Sequence, residues 1–361
     1  MSKTTGDQLT EQSLSPAAWL DHIRTGLGYN KPFRWSTEVD YLINSLPEED
    51  RAAATDVWKS RVGKSIASIH DEQFGRYFER IVPALDEVGA GIAATTYFGL
   101  YPTYDFNGYA GHTPRGDRIV MLHAGLPHTL SLWSHLCIRQ LEQGGGWEVL
   151  ERHLNLHHEL LNYFSALWHE TNIPKIPEVR PQTPDGWRLS EELTMAAVCF
   201  VVGHEIGHIK HAHAGYSNDV TSNHQQEFEA DRYGLHLCIR YTLLYCNRFD
   251  DTYFTKMMLF GPFLALAVIA LLAPTDSVTH PSAVRRDEFM LDQFSIVLRE
   301  ILRDRADAFA SDTDEHLLDV LKGNARGLIQ VGKAMAELVS VLFAKYEKPD
   351  NSWLQSVLQR A

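Results

Sequence analysis

The stretch Val201-Val202-Gly203-His204-Glu205-Ile206-Gly207-His208 decides how the rest of the chain is read. On a helix, residues four apart are displaced by only about 40° around the axis, so His204 and His208 share a face and can grip one ion. Glu205 projects beside that position, where a carboxylate can take a proton from a water that the ion polarises. Two ligands do not complete such a site. A metal centre built for catalysis takes three protein ligands and leaves one position open.

The third ligand is sought downstream, where Glu227-Phe228-Glu229-Ala230-Asp231 repeats the helical spacing with carboxylates. Glu227 and Asp231 stand four apart and share a face, while Glu229 points elsewhere. We assign Glu227 to the metal. Asp231 then falls where a carboxylate accepts a hydrogen bond from the outer nitrogen of a ligand histidine and sets its tautomer. His211, His213 and His224 compete for the third place, although His211 follows the second ligand too closely on the same helix to close a tetrahedron around one ion. The pattern predicts the chemistry of a zinc peptidase.

The motif sits on a long apolar segment. Ser190, followed by Glu191 and Glu192, makes an N-cap with acidic residues in the first turn, and the helix is expected to end near Ala214, with Gly215 as a left-handed cap. Upstream, residues 16–88 show helical spacing, and residues 89–116 are rich in glycine and tyrosine and read as irregular structure. They lead into a strand at Arg118–His123, a candidate for the sheet edge along which a peptide substrate pairs. Helices are predicted at 130–141 and 147–168, separated by Gly144-Gly145-Gly146; His153, His157 and His158 lie on the second as surface or packing residues. Residues 173–186 read as an extended, proline-rich connector.

Residues 257–273 are almost wholly apolar but fall short of the roughly 20 that cross a bilayer. Gly261-Pro262 interrupts the run and Pro274 ends it, so it is read as a core helix, and membrane association is not expected. Further helices are predicted at 289–310, 314–321 and 325–346. The expected fold is mainly α (α+β): a metallopeptidase core with a small sheet over 96–290, flanked by helical regions at 1–95 and 291–361.

In composition the chain is ordinary for a globular protein, with 361 residues of which 44% are hydrophobic and 22% charged. Its 33 basic and 46 acidic residues leave a formal charge of -13, which opposes binding to nucleic acid and to anionic lipid. The polar start Met1-Ser2-Lys3-Thr4 lacks a secretory layout, and Cys137, Cys199, Cys238 and Cys246 form no Cys-x-x-Cys pair. A cytoplasmic protein with reduced thiols is expected.

Taken in order, His204–His208, Glu227–Asp231 and Thr279-His280-Pro281-Ser282-Ala283-Val284-Arg285-Arg286 resemble the three signatures of gluzincin metallopeptidases of the M48 type. More closely, they resemble the Lit phage-exclusion peptidases, peptidase U49, over roughly residues 115–290. The resemblance implies His204, His208 and Glu227 as zinc ligands, Glu205 as catalytic base, and His280 and Arg286 close to the site. It departs at Asp287, where an apolar residue is usual, which leaves Arg285 and Arg286 as alternatives. It further implies a protein or peptide substrate and a role in antiphage defence, set off by a phage-derived trigger or a regulatory protein. His280 also makes sense by itself, since a histidine at a Thr-His-Pro turn after a buried helix can reach a cleft and donate to a developing oxyanion. The other reading is a zinc-containing inactive peptidase that acts as a protein-binding module, for which Glu205 has no use.

Overall fold

The computed structural model describes residues 13–306, except for 28, 36, 45–47, 89–90, 102, 104–105, 144–158, 160–178, 214–217, 247–259 and 273–276. In chain order the elements are α1 (Pro16–Gly26), α2 (Thr37–Asn44), α3 (Glu48–Arg61), α4 (Ile66–Val88), the single turn α5 (Ile92–Thr95), β1 (Thr96–Tyr101), β2 (Gly108–His112) and β3 (Arg118–His123), then α6 (Gly125–Glu142), α7 (Pro184–Lys210), α8 (Val220–Cys246), α9 (Gly261–Leu272) and α10 (Ala283–Ala306). The fold is mostly helical with one small sheet. The predicted helices at 314–321 and 325–346 fall outside the described residues, as do His153, His157 and His158 on the one predicted at 147–168.

The motif helix α7 begins earlier than its sequence suggests. Thr183 is the N-cap: its backbone is extended, its hydroxyl accepts from Gly186 N at 2.9 Å, and Pro184 opens the first turn. Ser190 donates its hydroxyl to the Trp187 carbonyl at 2.7 Å, so the last residues of the supposed connector are helix. At the other end α7 stops at Lys210, with His211 as C-cap and Ala212 in the left-handed region at φ +50°; Gly215 is outside the described residues. An alanine there costs about 1–2 kcal/mol, so the surrounding contacts must hold it. The helix has 27 residues, and every one from Leu193 to Gly207 is buried. It is therefore the axis of the core.

Four small residues let α8 lie directly on that axis. A Cβ on Gly203 would sit 2.8 Å from the Gly234 Cα, one on Gly207 2.8 Å from the Ala230 Cα, and one on Gly234 2.6 Å from the Phe200 carbonyl oxygen. Backbone meets backbone along one ridge of each helix, since 203 and 207, like 230 and 234, are four apart. At the start of α9, a Cβ on Gly261 would sit 2.5 Å from the Ala196 carbonyl carbon, which seats that helix on α7 as well. Phe263, Leu264, Ala265, Leu266 and Val268 of α9 are buried in the same core as α4, α6, α7, α8 and α10. No helix among the described residues is long and apolar enough to cross a membrane.

The sheet corrects two expectations. Its order is β1-β3-β2, with β1 parallel and β2 antiparallel to β3, so Arg118–His123 is the central strand and the glycine- and tyrosine-rich stretch before it supplies both edges. Alternation along β3 turns Val120 and Leu122 to the helical core and Ile119 and Met121 to Leu20 of α1. The outer edge of β1 is covered by α1, whose Arg24 donates to the Leu100 carbonyl while pairing with Asp71 at 2.6 Å. The other edge is β2. His123 N donates to the Asn107 carbonyl at 3.0 Å and Thr113 N to the Asp117 carbonyl at 2.8 Å. Odd-numbered residues therefore pair with β3, and the backbone groups of Gly108, Ala110 and His112 turn outward.

The helix crossing makes a testable pair. Gly234→Val forces a side chain into a backbone contact and is expected to lower stability by about 3 kcal/mol. Gly75→Ala, on α4 with open space around it, is expected to raise stability by about 0.5–1 kcal/mol. Urea denaturation of both variants checks this; equal effects would show that the crossing is not tightly packed.

Candidate metal centre

Because α8 touches α7 at Gly203 and Gly207, Glu227 arrives one turn away, opposite His204 and His208. The two Nε2 atoms are 3.1 Å apart. Glu227 Oε2 lies 3.6 Å from His204 Nε2, and its Oε1 lies 3.4 Å from His208 Nε2. Two atoms each about 2.0–2.1 Å from a tetrahedral zinc lie roughly 3.3 Å from each other. The observed spacings fit an ion of that size, and these three residues form the converging metal-ligating group among the described residues.

The donor chemistry fits as well. His204 Nδ1 is 2.9 Å from Asp231 Oδ1. An ionised carboxylate only accepts, so Nδ1 carries the hydrogen and the lone pair of Nε2 is turned to Glu227. Asp231 is in turn clamped by Arg286, whose Nε donates to Oδ2 at 2.8 Å and Nη2 to Oδ1 at 2.5 Å. All three side chains are buried. This settles which arginine faces the site: Arg285 is exposed, 5.9 Å above the Phe228 ring and 3.3 Å from His224 Nδ1. Asp287, the departure noted above, is half-buried beside Glu288; burial lifts its carboxyl to about 7 without disturbing the placement of Arg286.

Burial and charge set the ionisation of the group. Burial raises the Glu205 carboxyl to about 7 before any cation is bound. Burial, with His204 close by, lowers His208 to about 3, so its ring is neutral as a ligand must be. Burial also opposes ionisation of Glu227, but the His280 hydrogen bond and the charges of His204 and Arg286 outweigh it and hold the carboxyl well below the usual range. His204 is raised, because its bond to Asp231 and the charge of Glu227 overcome burial. Two carboxylates, Glu227 and Asp231, are thus held ionised at the centre, with Arg286 balancing Asp231 and Glu227 left facing the two imidazoles.

His280 comes from a distant turn and lies with its Nδ1 3.0 Å from Glu227 Oε2. Ser277 closes that turn: its N donates to the His280 carbonyl at 2.8 Å, and its Oγ accepts from His280 N at 2.8 Å. The start of α8 anchors it, through Asn223 Nδ2 to the Val278 carbonyl at 2.8 Å and His224 Nε2 to the Ser277 carbonyl at 2.9 Å. His224 therefore fastens the turn and lies outside the converging group. His211 and His213 also lie outside that group; His213 folds back with its Nδ1 2.8 Å from His208 Nδ1, and Glu229 lies 3.1 Å from the other His213 nitrogen.

A cleft at Glu205 is lined by the apolar side chains of Phe106, Leu126, Phe200 and Ile269 and by His280. Gly108 of β2 faces the base directly, since a Cβ there would lie 2.5 Å from Glu205 Oε1. Sequence reading missed Gly108, Asn223 and the roles of His213 and His224. A glycine inside a strand is itself a sign of close backbone approach, so Gly108 carried a usable signal. The contacts of Asn223 and His224 span more than fifty residues and carried none.

Residues 141–303 match the family model Peptidase U49. No curated protein and no solved structure matches the chain.

The Arg286–Asp231 pair is expected to behave as one buried unit. Asp231→Ala and Arg286→Met should each cost about 3–5 kcal/mol, because either leaves a buried charge without its partner. The double variant should cost less than the sum. A double-mutant cycle in urea checks this, and simple additivity would rule out the coupling.

Proposed function

On the premise that the segment 141–303 belongs to the peptidase U49 family, and the chain is accordingly a peptidase, we propose that it is a zinc-dependent endopeptidase acting on an intracellular protein. The observation that carries this reading is the convergence of His204 Nε2, His208 Nε2 and the Glu227 carboxylate beside a buried acid with a raised pKa. A purely structural zinc site needs no base, and Glu205 would be a costly ornament there.

In this reading His204, His208 and Glu227 hold the zinc. A zinc ion bound there supplies Lewis acidity, polarising the scissile carbonyl and making water more acidic. Glu205 takes the proton from the attacking water and passes it to the leaving amine. His280 donates to the oxyanion of the tetrahedral intermediate. Arg286 grips Asp231 with two bonds, so its part is to steady Asp231 and, through it, His204.

The substrate backbone is taken to pair with the outer edge of β2, which has no strand beside it among the described residues and passes beside Glu205 at Gly108, where the Asn107 side chain now accepts from Gly108 N. That placement replaces the central strand β3, whose two sides are already paired. The apolar wall suits an aliphatic or aromatic side chain next to the scissile bond. The likeness to phage-exclusion peptidases extends the reading to antiphage defence, with cleavage set off by a phage-derived trigger.

Glu205→Gln is expected to retain near-stoichiometric zinc and to lose cleavage by about 10²–10⁴-fold. Metal analysis, together with comparison of cellular proteins after expression of wild type and variant during phage infection, tests both halves. Cleavage that survives the substitution refutes the mechanism. Gly108→Ala should fold and bind zinc normally while lowering turnover about tenfold or more, because its methyl displaces the carboxylate; unchanged turnover would place the substrate elsewhere.

A further inference from the structure

The C-terminus of α7 ends in a way that the zinc reading leaves unexplained. His213 N donates to the His208 carbonyl at 3.0 Å and Ala212 N to the Ile209 carbonyl at 3.2 Å, with Ala212 left-handed. This is a Schellman motif, which is normally built on glycine and closed by an apolar contact between the residue after the left-handed position and the helix residue five before it. Here alanine takes the strained position, and the contact is between two imidazoles, His213 and His208. A backbone strain that persists beside a site is held by what it positions.

The hydrogen-bond roles follow from the end of the chain. Glu229 accepts only, so His213 Nε2, 3.1 Å away, carries the hydrogen. A neutral His213 ring then has an acceptor at Nδ1. His208 Nδ1, at 2.8 Å, must donate to it, which turns the lone pair of His208 Nε2 toward Glu227. We propose that His213 and Glu229 are positioning residues that fix the tautomer and ring orientation of His208, as Asp231 does for His204, and so set the affinity of the centre for zinc. The two ligand histidines are thus held by different devices: a buried carboxylate clamped by arginine on one side, and a largely buried histidine backed by a partly exposed carboxylate on the other.

This inference rests on His208 being a zinc ligand, and the test separates the two claims. Zinc affinity of the full chain is measured by competition with a chromophoric chelator. The ring hydrogen of His208 is located in the metal-free protein by ¹⁵N-edited NMR, assigned by its loss in His208→Gln. His213→Ala should weaken zinc binding about 10–100-fold and release the His208 ring from its single Nδ1–H form. Glu229→Gln, at a half-buried position and nearly isosteric, should move both readouts the same way but less, since its amide oxygen can still accept. His213→Asn, whose side-chain oxygen can accept, should recover part of the affinity. Unchanged affinity and an unchanged Nδ1–H form in His213→Ala would overturn the relay even if wild type binds zinc tightly. If wild type binds no zinc, the zinc reading fails, and the NMR readout alone decides whether the relay orients His208.

Discussion

Everything at the centre depends on the backbone contact between α7 and α8. Glycine at 203, 207 and 234, with Ala230 opposite, lets the two helices approach until main-chain atoms touch. Any larger residue would move the axes apart by more than the tolerance of a metal site, which is a few tenths of an ångström. The carboxylates on α8 can therefore reach the imidazoles on α7 without long or flexible side chains. The site inherits its rigidity from two 27-residue helices and not from loops.

Around this fixed pair the protein arranges graded exposure. Asp231 and Glu227 are fully buried, Glu205 lies at the floor of the cleft, and His280 is half in solvent on its turn. Burial alone would drive these carboxyls toward their neutral forms. Arg286 and the histidines counter that for Asp231 and Glu227, whereas at Glu205 burial outweighs the pull of His204, Arg286 and His280 and lifts the carboxyl to about 7. Two facing helices thus bring together two imidazoles and a carboxylate that could hold a cation, next to a carboxyl raised to about 7. The sheet completes the cleft by bringing the edge strand β2 past Glu205.

Much of the site was legible because helical periodicity is a local rule. The shared face of His204 and His208, and that of Glu227 and Asp231, follow from spacing alone, and the structure brings the two faces within contact of each other. The helix start at Ser190 was misplaced because serine followed by two glutamates imitates a cap, while the true cap, Thr183, is preceded by prolines that suggest extended chain. The edge strands were missed because glycine and tyrosine in β1 and β2 carry no clean alternation. Those glycines serve close approaches to Leu20, Glu205 and Tyr109.

The sequence by itself determined the donor types, their order along the chain and their helical faces, since these depend on side-chain chemistry and a fixed 3.6-residue turn. Tertiary structure set Arg286 and not Arg285 against Asp231, put β2 at an edge of the sheet, and packed His213 against His208 and His224 against the turn of Ser277. Each of those outcomes rests on contacts made when separate elements dock, or on a left-handed turn at an alanine that no local preference announces. Pattern dictates what a helix can offer; packing dictates what it meets.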